Sequence, residues 1–135
     1  MQRLPWEMWL ARDRKTLWTF LRLKEGAQLG NTQGFAHGGL LAALFDGQLG
    51  SLFTMCGVSG FTANLSVDYR RPVPIPSDVL MVARLDGREG RKLWISGQLT
   101  ALETEPNDGD PVVCAEARGL FLGTNTPDAA AASVS

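Results

Sequence analysis

Residues 34–56, GFAHGGLLAALFDGQLGSLFTMC, constrain this chain more than any other stretch. The segment opens on a glycine-rich turn holding the single histidine, His37, and continues with Leu, Ala, Phe and Met on every side of a helical projection. A helix that is apolar all round is buried all round, in a domain core or in lipid. Roughly 20 residues are enough to cross a bilayer. Asp46, Gln48, Ser51 and Thr54, with Gly47 and Gly50, argue against that, because an ionisable group at mid-span is costly in lipid. The expectation is a domain wrapped around one central helix over residues 37–56, with no integral membrane segment.

Two features of this helix point to chemistry. His37, Gly38 and Gly39 stand at its start, where backbone N–H groups lack intrahelical partners and the helix dipole favours negative charge. Glycines there let a ligand oxygen approach the backbone closely. Asp46 is a carboxylate in the middle of an otherwise apolar helix, and buried carboxylates usually carry a partner or a task. The bland alternatives are a capping or core histidine and an aspartate on a solvated face. Nine positions separate His37 from Asp46, about 900° of rotation and about 13 Å along the axis. One helix therefore cannot offer both to the same reacting atoms. If both serve one reaction, two subunits must supply them, which makes an obligate dimer the expected assembly.

The 135 residues suit one domain with a core that needs no disulfide. A formal net charge of −1 gives no case for nucleic acid or bulk membrane binding. Cys56 lies in the apolar helix and Cys114 in an apolar run, as expected of buried thiols in a reducing compartment. With one histidine and no Cys-x-x-Cys pair, no metal site is expected. No continuous apolar run follows Met1, so a secretory signal is not expected, and an intracellular location, cytoplasmic or mitochondrial, is.

The rest of the chain reads as strands around the helix. Residues 2–15 mix Trp6, Met8, Trp9 and Leu10 with charges and suggest a short amphipathic helix from Pro5. Residues 16–23, TLWTFLRL, read as a first strand, followed by a glycine-bearing loop into the central turn. Residues 61–71 alternate strictly, with Phe61, Ala63, Leu65, Val67 and Tyr69 on one face and Thr62, Asn64, Ser66, Asp68 and Arg70 on the other. Residues 79–85, 92–102 and 112–122 read as three further strands, with a turn over 86–91 joining the first two as a hairpin. Residues 103–110 read as an acidic loop, and 124–135 as a disordered tail low in large apolar residues. The sum is an α+β domain over residues 1–123: one long helix, a four-strand antiparallel meander after it and a strand before it.

An HGG turn opening a buried helix, an acid nine residues on, the strand TANLSVDYRRPVP and the turn REGRK together resemble the hotdog-fold acyl-CoA thioesterases, in the branch containing thioesterase superfamily members 4 and 5. The resemblance spans about residues 34–122, in order and spacing. It implies a hotdog fold, a long central helix wrapped by a curved antiparallel sheet. It also implies an acyl-CoA substrate, no cofactor, and a homodimer paired edge to edge, with a dimer of dimers as a further possibility. The family's histidine falls on His37, its oxyanion-hole amide on Gly38 with Gly39 beside it, its catalytic acid on Asp46 and its assisting hydroxyl on Thr62. Residues near the CoA moiety fall on Asp68, Arg70, Arg91 and Lys92. Related hotdog enzymes use an asparagine where Asn31 stands.

Such a set suits thioester hydrolysis without a Ser-His-Asp triad. The Gly38 N–H, reinforced by the helix start, would stabilise the oxyanion, a contribution of about 3–4 kcal/mol. His37 would orient the thioester or the turn, and Asp46 of the facing subunit would activate water or attack directly to give an anhydride. Arg70, Arg91 and Lys92 would meet the nucleotide phosphates, and the apolar helix surroundings suit a medium- to long-chain fatty acyl group. Two alternatives on the same fold are a non-catalytic acyl-CoA or acyl-carrier binding module and an enoyl-thioester hydratase. Asp46 counts against the first; the lack of any Asp or Glu between Gly26 and His37 counts against the second.

Overall fold

The computed structural model describes residues 1–4, 7–24, 34–102 and 112–124. One helix, α1 (Gly38–Met55), lies against a seven-stranded antiparallel sheet of β1 (Gln2–Leu4), β2 (Met8–Leu10), β3 (Thr16–Leu23), β4 (Gly60–Tyr69), β5 (Ser77–Glu89), β6 (Lys92–Leu102) and β7 (Val112–Gly123). Leu41, Phe45, Leu49, Leu52 and Phe53 of α1 are buried against Leu17, Met81, Ala83, Leu93, Ile95, Ala117 and Phe121 of the sheet. Each such large side chain contributes about 2 kcal/mol on leaving water. Gly97 of β6 lets the helix approach closely: a Cβ there would lie 2.8 Å from Leu49 Cδ1 and 3.3 Å from Phe45 Cδ1. Gln48, the buried polar residue of the helix, donates from Nε2 to the carbonyls of Leu17 (3.2 Å) and Met81 (2.9 Å), fastening α1 to β3 and β5.

The long elements match expectation, and β3 and β6 do so residue for residue. Several features differ. Among the described residues of 2–15 there is no helix; β1 and β2 pair antiparallel, and β2 extends the sheet by pairing Trp9 with Trp18 and Leu10 with Leu17 of β3. Sheet pairing of β-favouring aromatics outweighs the local helical pattern there. Second, the strands do not form a four-strand meander. The order is β1-β2-β3-β5-β6-β7-β4, so β4 crosses to pair with β7 and becomes a free edge, while β3 takes its place beside β5.

Third, strict alternation along β4 breaks at a bulge between Thr62 and Asn64. One extra residue reverses the facing of what precedes it, so Thr62 turns toward the helix, on the side of the half-buried Leu65 and Val67, and Phe61 turns outward, 53% exposed. Further shifts at Leu85/Gly87 and Leu99/Thr100 mark bends in the neighbouring strands. The β5–β6 turn is also shorter than expected: β5 runs to Glu89, which pairs with Lys92 around Gly90 and Arg91, with Gly90 at φ +59°. Fourth, α1 is not buried all round in the single chain. Gly39, Ala43, Asp46, Gly47 and Thr54 are exposed along one stripe. The sequence did not show this face because Gly39, Ala43 and Gly47 carry no polarity and only Asp46 and Thr54 mark it.

Candidate active site

The glycine turn is held in place by the segment that follows β4. Ala36 N–H donates to Val73 O at 2.8 Å and Ile75 N–H to Gly34 O at 3.0 Å, with Phe35 bridging to Pro74. His37 takes the N-cap position in extended conformation and makes no side-chain cap. It is exposed, as are Gly38 and Gly39, so the first amides of α1 open to the surface. A groove lined by Phe35, Ala36, Leu41, Tyr69 and Arg71 runs up to Gly38.

Two turns further on, Asp46 sits on the exposed stripe and accepts a 2.7 Å hydrogen bond from Thr62 Oγ1. The β4 bulge makes this contact. Without it Thr62 would share the outward face with Ser66 and Asp68. Asp46 and Gly38 lie about 12 Å apart along the helix axis, and Tyr69 Oη donates to Gly38 O at 2.8 Å. Strand β4 thus touches α1 at both candidate groups: Thr62 at the acid and Tyr69 at the glycine turn.

The cations expected near a nucleotide fall in two places. Arg70 is engaged by Glu116 at 2.8 Å, on the sheet face that carries Asp68, away from the helix. Arg91 and Lys92 lie at the β5–β6 hairpin, where Gly123 N–H donates to Arg91 O and Lys92 is opposite Leu122. Those rows are seven residues apart along β6, from Lys92 to the Leu99 row that leads to Tyr69, or roughly 23 Å. One chain therefore does not bring them together. Asn31 lies outside the described residues. Tyr69 was not among the residues the sequence singled out; its signal was an aromatic ending the inward row of Leu65 and Val67, immediately before the arginine pair. Of the two thiols, Cys114 is buried, and burial pushes the Cys56 thiol up against the opposing pull of Arg88 and Arg14.

A single long helix cradled by an antiparallel sheet in this strand order, with a glycine turn at its start and an acid on its open stripe, is the architecture of the hotdog proteins. The chain belongs to the thioesterase superfamily, whose family model matches residues 33–105. Among curated relatives, acyl-coenzyme A thioesterase THEM4 of Bos taurus is 36% identical over 97 residues, covering 72% of this chain and 37% of the relative. Acyl-coenzyme A thioesterase THEM5 of Homo sapiens is 37% identical over 97 residues, with the same coverage of 72% and 37%. The chain thus spans well under half the length of these relatives. A crystal structure of a thioesterase superfamily protein superposes with a TM-score of 0.71 at 28% identity, over 85% of this chain and 54% of that one. A hypothetical thioesterase of Streptococcus pneumoniae, solved with coenzyme A, shares the fold at a TM-score of 0.71 and 18% identity, over 84% of this chain and 81% of that one.

Proposed function

We propose that this chain hydrolyses acyl-CoA thioesters to free acid and CoA, in a site assembled from two copies of the chain. The observation that carries the reading is the pair of contacts along β4: Thr62 on Asp46 at one end, and Tyr69 on Gly38 at the other. Among the described residues β4 is the long edge strand of the sheet, the short β1 lying at the other edge. An antiparallel β4–β4 pairing about a two-fold axis near Leu65 and Ser66 sets each chain's Thr62 end beside the other's Tyr69 end. Asp46 of one copy then faces the Gly38 turn of its partner, twice per dimer. The same operation carries Arg91 and Lys92 of one chain toward the other chain's glycine turn, with Arg70 and Asp68 nearby. The small residues exposed on α1, Gly39, Ala43 and Gly47, suit the close approach of a second helix across that axis.

In this site the thioester carbonyl oxygen accepts from the Gly38 N–H, with Gly39 leaving the approach open and His37 flanking it. Thr62 holds Asp46 through Oδ1, leaving Oδ2 to take a proton from water. The hydroxide oxygen adds to the carbonyl carbon, the negative charge develops on the carbonyl oxygen, and collapse breaks the C–S bond and expels the CoA thiolate, which takes up a proton. Direct attack by Asp46 would instead pass through an anhydride. The apolar surroundings of α1 suit a medium- to long-chain fatty acyl group. Relatives named as acyl-coenzyme A thioesterases support the reaction. Two free cysteines support a reducing, intracellular setting, cytoplasmic or mitochondrial. Among the described residues no helix is long and apolar enough to cross a membrane.

A thiol-release assay across acyl-CoA chain lengths tests the reading. Turnover that peaks with medium or long chains supports it. Tight acyl-CoA binding without thiol release would make the protein a binding module instead.

A further inference from the structure

The amide proposed to bind the oxyanion sits in the least self-sufficient turn of α1. Gly38 and Gly39 open the helix with no side chain to restrict the backbone, the His37 side chain makes no cap, and no acidic residue steadies the first turn. The described side chain that grips this turn is Tyr69. Its hydroxyl donates to Gly38 O at 2.8 Å, and its ring carbon Cζ lies 3.4 Å from where a Gly38 Cβ would stand. Ring and hydroxyl therefore hold the Gly38 Cα and the Gly38–Gly39 peptide against β4, and the Gly38 N–H, in the preceding peptide, is held through that shared Cα. Within one chain Tyr69 is 53% exposed, so its hold on α1 comes from the hydroxyl and the ring edge at Gly38 rather than from burial in that chain's core.

Resting on the hydrolase reading above, we propose that Tyr69 is a positioning residue: it clamps the first turn of α1 so that the Gly38 N–H stays aimed at the thioester oxygen. In the helix the Gly38 carbonyl also receives the Ala42 N–H. The hydroxyl is thus a second donor to an oxygen already engaged, and it ties the turn to strand β4. Because an oxyanion donor works by being held in advance rather than by reorganising, loosening this tie penalises the transition state more than substrate binding.

The test compares Tyr69→Phe, which keeps the ring and removes the hydroxyl, with Tyr69→Ala, which removes both. Both variants are measured for kcat and KM on one acyl-CoA, for thermal midpoint, and for amide hydrogen exchange. The expected result for Tyr69→Phe is a kcat about tenfold lower, the size of one lost hydrogen bond. Its KM should stay within about twofold and its thermal midpoint fall by no more than a few degrees, with Ala42 exchanging faster while Leu49 does not. Tyr69→Ala should lower kcat further. A Tyr69→Phe kcat within twofold of wild type, or losses in kcat that merely track losses in thermal midpoint, would overturn the clamp. A wild-type protein that releases no thiol would remove the hydrolase reading, while unchanged Ala42 exchange in Tyr69→Phe would separately remove the clamp.

Discussion

Thr62 Oγ1 donates a 2.7 Å hydrogen bond to Asp46 Oδ1, across sixteen residues of sequence and from the free edge strand to the central helix. This bond fixes one carboxylate oxygen of a residue that is itself exposed on the open stripe of α1. It exists because the β4 bulge turns Thr62 inward.

If Asp46 is the base, Asp46→Asn keeps the shape and the Thr62 contact but removes the proton acceptor. Its kcat is expected to fall at least about a hundredfold, the lower range of general-base contributions, with unchanged fold and assembly. Hydrolysis within threefold of wild type at saturating substrate would exclude Asp46 from the chemistry.

Thr62→Val removes the hydroxyl and preserves the branched shape. A hydrogen bond to a charged group is worth about 1.5–3 kcal/mol, so kcat is expected to drop about ten- to a hundredfold, and Thr62→Ser to restore most of it. A valine variant as active as wild type would mean that the contact does not orient the carboxylate.

Replacing Arg91 and Lys92 together by Ala removes two cations from the hairpin tip opposite the glycine-turn end of the sheet. KM for acyl-CoA is expected to rise at least about tenfold by loss of phosphate pairing, with no change for a short thioester lacking the nucleotide. Equal effects on both substrates would assign the pair to the hairpin's own structure.

Gly97→Ala tests the helix–sheet contact. The new methyl group would press on Leu49 Cδ1, itself fully buried. Overpacking of this kind costs about 1–3 kcal/mol, read as a lower denaturant midpoint at unchanged slope. A variant as stable as wild type would show that α1 does not rest tightly on β6 there.

The helix was legible as a long apolar run between a glycine turn and Gly57, expected over residues 37–56 and found as Gly38–Met55. The TLWTFLRL and KLWISGQLTAL strands were legible from their β-favouring apolar residues bounded by turn residues. What the sequence could not show is long-range. Trp9 chooses a strand because Trp18 is there to pair with it, and β4 leaves the meander to lie beside β7. The same holds at the site. His37, Gly38 and Asp46 announced themselves by residue type, and helix geometry separated them. The inward turn of Thr62 depends on an extra residue in β4, and the grip of Tyr69 on Gly38 spans thirty-one positions, so the residue types are visible in the sequence but the contacts they make are not.

The shared site is the central claim, and a mixed dimer tests it most directly. Gly38→Leu, which blocks the glycine turn, and Asp46→Asn, which removes the base, are each expected to give folded, inactive homodimers. Co-expressed and purified as heterodimers, they leave one intact turn on the Asp46→Asn chain facing one intact Asp46 on the other. We expect such heterodimers to recover up to half of the wild-type kcat per dimer in thiol release. Folded heterodimers as inactive as both parents would contradict a site built from two chains.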